Sequence, residues 1–270
     1  MEKINAKNLI VKSKLPATDY VINPYVGCRH ACIYCYAEFI KRFYNISENW
    51  GSFVKQKDWS EDLERTIKKI DGKIILFGSV TDVYQPIEGK VKLMRGILPL
   101  FENSNCEVEI LTKSPLVLRD LDLLKKIKKV TVGISLFTLD GQLIKETEVT
   151  SPPEKRLETL ATLKAEGIDN YLFISPIFPK LSLTKRLIHE GSKVTDKILF
   201  ENLNLRGKNR SRILNFIKNK YPQHYELYQS IYIDKNLSYW DEMEVLIGKE
   251  CAAAGVKSKI YFHHDSPPKE

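Results

Sequence analysis

The feature that most restricts the fold of this chain is a regular alternation of short apolar runs with helical patterns. Each run is almost continuously apolar and rich in β-branched residues, which is typical of parallel strands buried on both faces. The predicted strands cover residues 20–26, 74–77, 108–111, 130–136, 171–177 and 198–200. About six β/α units in series predict an α/β fold, either doubly wound or a partial TIM-type barrel. In both folds the functional residues lie at the C-terminal ends of the strands.

The rhythm changes after about residue 205, where helices replace the strand-and-helix alternation. Helices are predicted at 206–220, 225–233 and 240–254, and a short strand at 259–262. We therefore predict a core domain over 1–205 and a mainly helical C-terminal extension over 206–270.

One helix of the core has recognisable signals at both ends. Ser151 is expected to cap its N-terminus, Pro152 to take the first helical position, and Glu154 to complete a capping box. Gly167 is expected to end the helix in the left-handed conformation.

The composition excludes several classes of protein. With 43% hydrophobic and 28% charged residues the chain is neither disordered nor collagen-like. No apolar run approaches the ~20 residues that span a bilayer, and the N-terminus lacks the apolar core of a secretory signal. The five cysteines are an odd number, which argues against a disulfide scaffold. We predict a soluble cytoplasmic protein, without a membrane partner, whose thiols are reduced.

The positive charge of the chain is concentrated in one stretch. Residues 180–220 hold eleven Lys or Arg against three acids, so this stretch alone carries the net charge of +8 found for the whole chain. Such a region raises the local concentration of anionic partners, nucleic acid among them. A solvated helical face explains the same pattern, and the charge alone does not separate the two interpretations.

The strongest local signal is a group of three cysteines, Cys28, Cys32 and Cys35, spaced C-x3-C-x2-C just after the first predicted strand. Cysteines that pack as small hydrophobic residues have no reason to cluster in this way. Cys106 and Cys251 are predicted as core residues, because Cys106 opens a predicted buried strand and Cys251 lies in the alanine-rich end of the last predicted helix.

The three thiols allow two kinds of metal centre. A structural zinc site needs a fourth ligand, for which His30, His263 and His264 are candidates. An iron–sulfur cluster suits soft thiolates better, and three ligands for four irons leave one iron open to a reactant. The open iron argues against a simple electron carrier, which normally closes all four sites.

The sequence C-x3-C-x-aromatic-C after the first strand of a β/α series resembles the radical S-adenosylmethionine (radical SAM) superfamily. This resemblance implies a partial (β/α)6 barrel and a 4Fe–4S cluster held by Cys28, Cys32 and Cys35. It also implies that S-adenosylmethionine binds the fourth iron and is cleaved reductively, so that a 5′-deoxyadenosyl radical abstracts hydrogen from a substrate. An electron donor of the flavodoxin or ferredoxin type is implied as a partner.

Further motifs resemble the spore photoproduct lyase-like branch of that superfamily. They are Cys35-Tyr36-Ala37, the segments 78–86 and 111–115, Arg119-Asp120 and the helix start at 153–157. The resemblance implies that Tyr34 lies near the adenine of the cofactor and that Thr81, Lys113 and Ser135 contact S-adenosylmethionine. Asp82 and Glu148 are further cofactor-binding candidates. Tyr36 is a catalytic candidate near the radical path.

One position departs from the lyase pattern. The lyase has a hydrogen-donating cysteine three residues before the aspartate that corresponds to Asp82, and this chain has Ser79 there. Because a hydroxyl is a far poorer hydrogen-atom donor than a thiol, we predict a relative with another substrate, anionic and with nucleic acid as a candidate, rather than a true spore photoproduct lyase. The alternative function is a non-catalytic metal-binding nucleic-acid module built on a Cys3His zinc site.

Overall fold

The structure is a computed structural model that describes residues 2–205 and 208–262. Its strands are β1 (Lys3–Ala6), β2 (Ile10–Lys12), β3 (Tyr20–Ile22), β4 (Tyr25–Val26), β5 (Lys55–Trp59), β6 (Ile74–Phe77), β7 (Glu107–Thr112), β8 (Val130–Ser135), β9 (Asp169–Ile177), β10 (Lys197–Asn202) and β11 (Lys257–Tyr261).

The helices are α1 (Leu63–Lys69), α2 (Glu88–Val91), α3 (Leu93–Ile97), α4 (Leu121–Leu124), α5 (Gly141–Thr147), α6 (Pro153–Ala165), α7 (Thr184–Ser192), α8 (Lys208–Lys220), α9 (Tyr225–Tyr232) and α10 (Ser238–Ala254). Short 3-10 helices cover Tyr36–Phe43, Leu98–Phe101, Pro115–Asp120 and Pro222–His224.

The main sheet has eight strands in the order β11-β10-β9-β8-β7-β6-β3-β2. All neighbours from β3 to β11 are parallel, and β2 joins the end of the sheet antiparallel to β3. Helices follow most of the parallel strands, as the right-handed β/α connection requires. The two end strands, β11 and β2, do not pair with each other, so the sheet does not close. The parallel strands with their helices form a partial TIM-type barrel, as predicted.

The apolar runs of the sequence form the core of this barrel. Phe77, Ile110, Ile134, Leu172 and Phe200 come from five neighbouring strands, and all are fully buried. Burial on both faces explains why these strands read as continuous apolar runs instead of alternating ones. Because these strands are parallel, their C-terminal ends lie at the same edge of the barrel, and the polar residues of the following loops lie there too.

The first predicted strand, 20–26, is wrong as one continuous element. Residues Tyr20–Ile22 form β3 of the barrel, whereas Tyr25–Val26 form β4 in a separate three-stranded sheet of order β1-β5-β4. Pro24 separates the two, because proline has no N–H to donate to a strand ladder. The small sheet was not predicted, since β1 and β5 lack an apolar run.

The predicted N-terminus of α6 is also corrected. The helix begins at Pro153, its N-cap is Pro152, and no side chain caps it. The Ser151 hydroxyl instead donates to the carbonyl of Lys113, 2.9 Å away, so this serine ties the helix start to the loop after β7. Gly167 has φ 73° directly after the helix, as predicted.

The predicted C-terminal helices correspond to α8, α9 and α10. The last strand lies at Lys257–Tyr261 and extends the main sheet parallel to β10. The division into a core and an extension stays a prediction, and His263 and His264 lie outside the described residues. In the described part of the chain, no helix is both long and apolar enough to cross a membrane.

Candidate active site

A loop from Gly27 to Cys35 carries the three clustered cysteines into the C-terminal end of the barrel. Gly27 has φ +90°, and a Cβ atom there would lie 2.5 Å from the carbonyl oxygen of Phe53, so only glycine fits. The Thr81 hydroxyl donates to the Gly27 carbonyl at 2.6 Å, and the Gln85 side chain donates to the same oxygen at 3.3 Å. The loop therefore starts in a fixed conformation on the residues that follow β6.

The three thiols are free and lie close enough to interact electrostatically. Cys28 and Cys32 are buried, and Cys35 is partly buried. Burial raises the pKa of all three thiols, that of Cys35 to about 11, and the neighbouring cysteines raise the pKa of Cys32 further. Thiolates at these positions therefore need a nearby positive charge. Iron ions supply that charge, and thiolates are soft ligands that favour iron–sulfur clusters. The three cysteines thus fit the cluster that their spacing predicts.

The same surroundings do not favour a zinc site. Both ring nitrogens of His30 face protein oxygens, with Nε2 3.0 Å from Asp82 Oδ2 and Nδ1 3.1 Å from the Val149 carbonyl. Within residues 2–205 and 208–262, no group of three His, Cys, Asp or Glu side chains is arranged to hold a single metal ion. In an iron–sulfur cluster each cysteine binds a different iron, so this geometric limit does not apply.

Asp82 is a buried carboxylate that joins three segments of the site. Its oxygens accept hydrogen bonds from the Thr112 hydroxyl and the Lys113 amide, both at 2.7 Å, and face His30. Burial alone would raise the pKa of Asp82, but His30 and these hydrogen bonds lower it below the usual value. Asp82 therefore joins the cysteine loop to the loop after β7 through hydrogen bonds to its ionised carboxylate.

Glu148 and Lys113 form the charged centre of the site. Glu148 Oε2 lies 3.3 Å from Lys113 Nζ and accepts hydrogen bonds from the Tyr34 hydroxyl and, at 3.4 Å, from Cys32 Sγ. Lys113 Nζ also donates to Tyr34 at 3.1 Å and to the Ser135 hydroxyl at 2.9 Å. Burial would raise the pKa of Glu148, but Lys113 and Arg156 hold it far below the usual range. The carboxylate is therefore ionised beside a buried thiol.

Arg156 completes this centre from α6. Its side chain is fully buried and pairs with Glu148 Oε1 at 2.5 Å. The same guanidinium donates to the carbonyls of Ser135 at 2.9 Å and Ser151 at 3.0 Å. The Glu148–Arg156 pair therefore fixes the loop before α6 against the end of β8. Because the pair is buried, removing one partner would leave an unpaired buried charge, which costs more than breaking an exposed ion pair.

An aromatic wall covers one side of the charged centre. The Tyr34 ring meets Phe137 and Phe178 edge-on, each at 5.5 Å between ring centroids. On the other side, the Ser135 hydroxyl donates to the Ser175 carbonyl at 3.2 Å. Charged and aromatic side chains therefore lie side by side near the ends of β8 and β9, a combination that suits a ligand with one charged and one aromatic part.

Tyr36 lies apart from this centre. Its side chain is 52% exposed, and its hydroxyl donates to the carbonyl of Ser79. The Ser79 hydroxyl in turn accepts a hydrogen bond from the Asn23 side chain at 2.9 Å. The structure therefore places the catalytic candidate next to the position where the lyase pattern has a cysteine.

The predicted residues do not all have the same surroundings. Lys113 contacts Tyr34, Ser135 and Glu148 directly, whereas Thr81 turns toward Gly27. Several residues hold the site together without any sequence signal for that role, namely His30 as a partner of Asp82, Gln85, Thr112, Asn209 and Arg212. No local motif marks the last two, since they reach the cysteine loop from α8.

A buried three-cysteine loop at the C-terminal end of a partial barrel is the arrangement expected of a radical SAM enzyme, and a comparison with known families agrees with this assignment. The family model of the radical SAM superfamily matches residues 22–187. The chain therefore belongs to the radical SAM superfamily and is a radical SAM enzyme. Members of this superfamily use a 4Fe–4S cluster and an external electron donor to cleave S-adenosylmethionine and generate a radical.

Two relatives and one solved structure show how far the similarity extends. An uncharacterized protein of Methanocaldococcus jannaschii is 41% identical over 255 residues, which cover 92% of this chain and 96% of that protein. An uncharacterized protein of Mycobacterium tuberculosis is 28% identical over 227 residues, 79% of this chain and 67% of that protein. Spore photoproduct lyase complexed with dinucleoside spore photoproduct has a TM-score of 0.69 at 16% identity, covering 97% of this chain and 82% of the lyase chain. At this identity the likeness is one of fold.

Proposed function

We propose that Cys28, Cys32 and Cys35 hold the 4Fe–4S cluster and that S-adenosylmethionine binds beside it, at the Lys113–Glu148 pair. The observation that carries this proposal is the position of Glu148, which contacts the buried thiol of Cys32 and the ammonium of Lys113 with the same oxygen. Charged groups that suit an amino acid therefore stand directly beside the thiols that suit a cluster. When bound, the cluster and S-adenosylmethionine supply the reductive cleavage and the 5′-deoxyadenosyl radical.

The residues of the chain bind and orient the cofactor in this proposal. The Lys113 ammonium pairs with the methionyl carboxylate, since charge-assisted hydrogen bonds are the strong ones. The Ser135 hydroxyl offers a further hydrogen bond to the polar part of the cofactor. Tyr34 lies against the adenine, and the buried rings of Phe137 and Phe178 hold the Tyr34 ring in place. Asp82 and Thr81 act through the loops that they hold.

We expect the Lys113→Met variant to bind S-adenosylmethionine about 10- to 100-fold more weakly than wild type, because a hydrogen bond to a charged group contributes about 1.5–3 kcal/mol. Glu148 keeps its ion pair with Arg156 in this variant, so the fold is expected to persist. The dissociation constant is measured by anaerobic calorimetry on reconstituted protein. Lys125→Met is the matched control, since Lys125 pairs with Glu166 on the surface. Equal affinity in the two variants would reject the assignment of Lys113.

We further propose an electron donor of the flavodoxin or ferredoxin type and an anionic substrate, with nucleic acid as the candidate. The basic stretch 180–220 supports an anionic partner. A second support is a row of exposed aromatic side chains, Tyr36, Phe39 and Phe43, on the 3-10 helix after the cysteines. The rings of Tyr36 and Phe39 lie nearly parallel at 22°, and the Arg42 guanidinium lies 4.8 Å from the centroid of Phe43. Exposed rings with adjacent cations are typical of surfaces that stack single-stranded bases.

Ser79 supports a reaction other than spore photoproduct repair. Its side chain is a hydroxyl held by Asn23, and a hydroxyl does not replace a thiol as a hydrogen-atom donor. We therefore propose that the substrate radical is resolved without the cysteine that the lyase pattern has at this position.

The double variant Phe39→Ala, Phe43→Ala is expected to bind single-stranded oligonucleotides about 30-fold more weakly or worse, since it removes two rings and stacking contributes about 1–3 kcal/mol per base. Fluorescence anisotropy with a labelled oligonucleotide at two salt concentrations measures the change. Val245→Ala is the control, because Val245 is an exposed apolar residue on α10. If wild type shows no salt-dependent binding, or if the double variant binds as well as the control, nucleic acid is not the partner of this surface.

A further inference from the structure

Helix α8 contacts the cysteine loop although it lies outside residues 22–187, the part of the chain that the family model matches. The Asn209 side chain donates to the carbonyl of Cys35 at 2.7 Å. Arg212 donates through Nη1 to the carbonyl of Ile33 at 3.0 Å and through Nη2 to Glu38 Oε2 at 2.6 Å. Two consecutive turns of one helix therefore hold the last residues of the loop that carries the thiols.

These contacts fix the loop on the side that the barrel does not reach. On the barrel side, the amide of Ile33 donates to the Thr147 carbonyl at 2.9 Å. Arg212 takes the carbonyl of the same residue, so Ile33 is held from both directions. Asn209 is buried, and Arg212 and Glu38 are both partly buried, which gives their hydrogen bonds and charges more weight than they have in open water.

We propose that Arg212 is a positioning residue for the cluster and that its charge, balanced by Glu38, sets the reduction potential of the cluster. This inference rests on the proposed cluster at Cys28, Cys32 and Cys35. Net charge and hydrogen bonding around the ligands are two of the properties that set the potential of an iron–sulfur cluster. A guanidinium beside the loop favours the reduced and more negative form, and the Glu38 carboxylate opposes it.

Arg212 and Glu38 carry opposite charges at the same end of the cysteine loop. Their effects on the potential of a cluster bound there therefore have opposite signs, because reduction adds a negative charge.

Two substitutions test the charges separately. Arg212→Gln removes the positive charge and leaves Glu38, so the midpoint potential is expected to become more negative. An effect of about tenfold on the reduced-to-oxidised ratio corresponds to about 59 mV for a one-electron couple. Glu38→Gln leaves Arg212 and is expected to shift the potential the other way. Arg212→Lys keeps the charge and is expected to restore the wild-type potential. Arg210→Gln, on an exposed residue of the same helix, is the control.

The potentials are measured by anaerobic redox titration of the reconstituted proteins, followed by electron paramagnetic resonance of the reduced cluster. Opposite shifts in Arg212→Gln and Glu38→Gln, with the Arg210→Gln control unchanged, support the proposal. Shifts of the same sign, or none in Glu38→Gln, overturn it, since a structural ion pair would destabilise the loop equally from either side. If Arg212→Gln does not fold, Glu38→Gln decides alone. If wild type takes up no iron and sulfide, the proposed function itself fails together with this inference.

Discussion

Replacing Cys28, Cys32 and Cys35 together with alanine is expected to abolish the uptake of iron and sulfide on anaerobic reconstitution. The thiols are the only soft ligands that the loop offers, and the raised pKa of each shows that burial disfavours the thiolate unless a cation binds it. Iron and acid-labile sulfide per chain, together with the visible absorbance of the cluster, measure the effect.

The chain offers two matched controls for this experiment. Cys106 and Cys251 are also buried, but they belong to the hydrophobic core. The Cys106→Ala and Cys251→Ala variants are expected to bind iron and sulfide as wild type does. A triple variant with unchanged iron and sulfide would show that the cluster lies elsewhere, and loss in the controls would show that the assay reports folding instead of ligation.

Replacing Arg156 with methionine is expected to lower the free energy of unfolding by about 3–5 kcal/mol, the effect of breaking a buried ion pair. Glu148 loses its partner at 2.5 Å, and the carbonyls of Ser135 and Ser151 lose a donor. Methionine keeps most of the side-chain volume, so a cavity contributes little to the loss. Urea unfolding of the protein without its cluster, followed by circular dichroism, gives the difference.

Lys155→Met is the control for Arg156, because Lys155 is its neighbour on α6 and pairs with Glu158 on the surface. An exposed pair of this kind contributes about 0–1 kcal/mol. A loss below about 1 kcal/mol in Arg156→Met would mean that the buried pair is not the structural anchor of the site.

Two kinds of sequence signal carried most of the prediction. Continuous apolar runs identified the parallel strands, because strands buried on both faces leave no polar positions. The spacing of Cys28, Cys32 and Cys35 identified the candidate centre, since three thiols within eight residues bring soft ligands together whatever the rest of the fold. Both signals depend only on residues that are neighbours along the chain, so the sequence alone is enough to identify them.

The remaining features depend on contacts between distant segments. Asn209 and Arg212 are 174 and 179 residues from their partners in the cysteine loop, and no local pattern indicates such a contact. Ser151 resembled an N-cap because serine is a preferred N-cap residue and proline suits the first helical position, but the Ser151 hydroxyl donates to the Lys113 carbonyl instead. The strands β1 and β5 are short and largely polar, so no apolar pattern in the sequence indicates them. They form because they pair with each other in the small sheet.

The central claim is that the three cysteines and the Lys113–Glu148 centre form a site that cleaves S-adenosylmethionine. The most direct test is anaerobic: reconstituted protein is mixed with dithionite and S-adenosylmethionine, and 5′-deoxyadenosine is quantified against the triple cysteine variant and Cys251→Ala. We expect wild type and Cys251→Ala to form 5′-deoxyadenosine and the triple variant to form none above background. A wild-type protein with a fully loaded cluster that forms no more product than the triple variant, with the candidate oligonucleotide present or absent, would contradict the account.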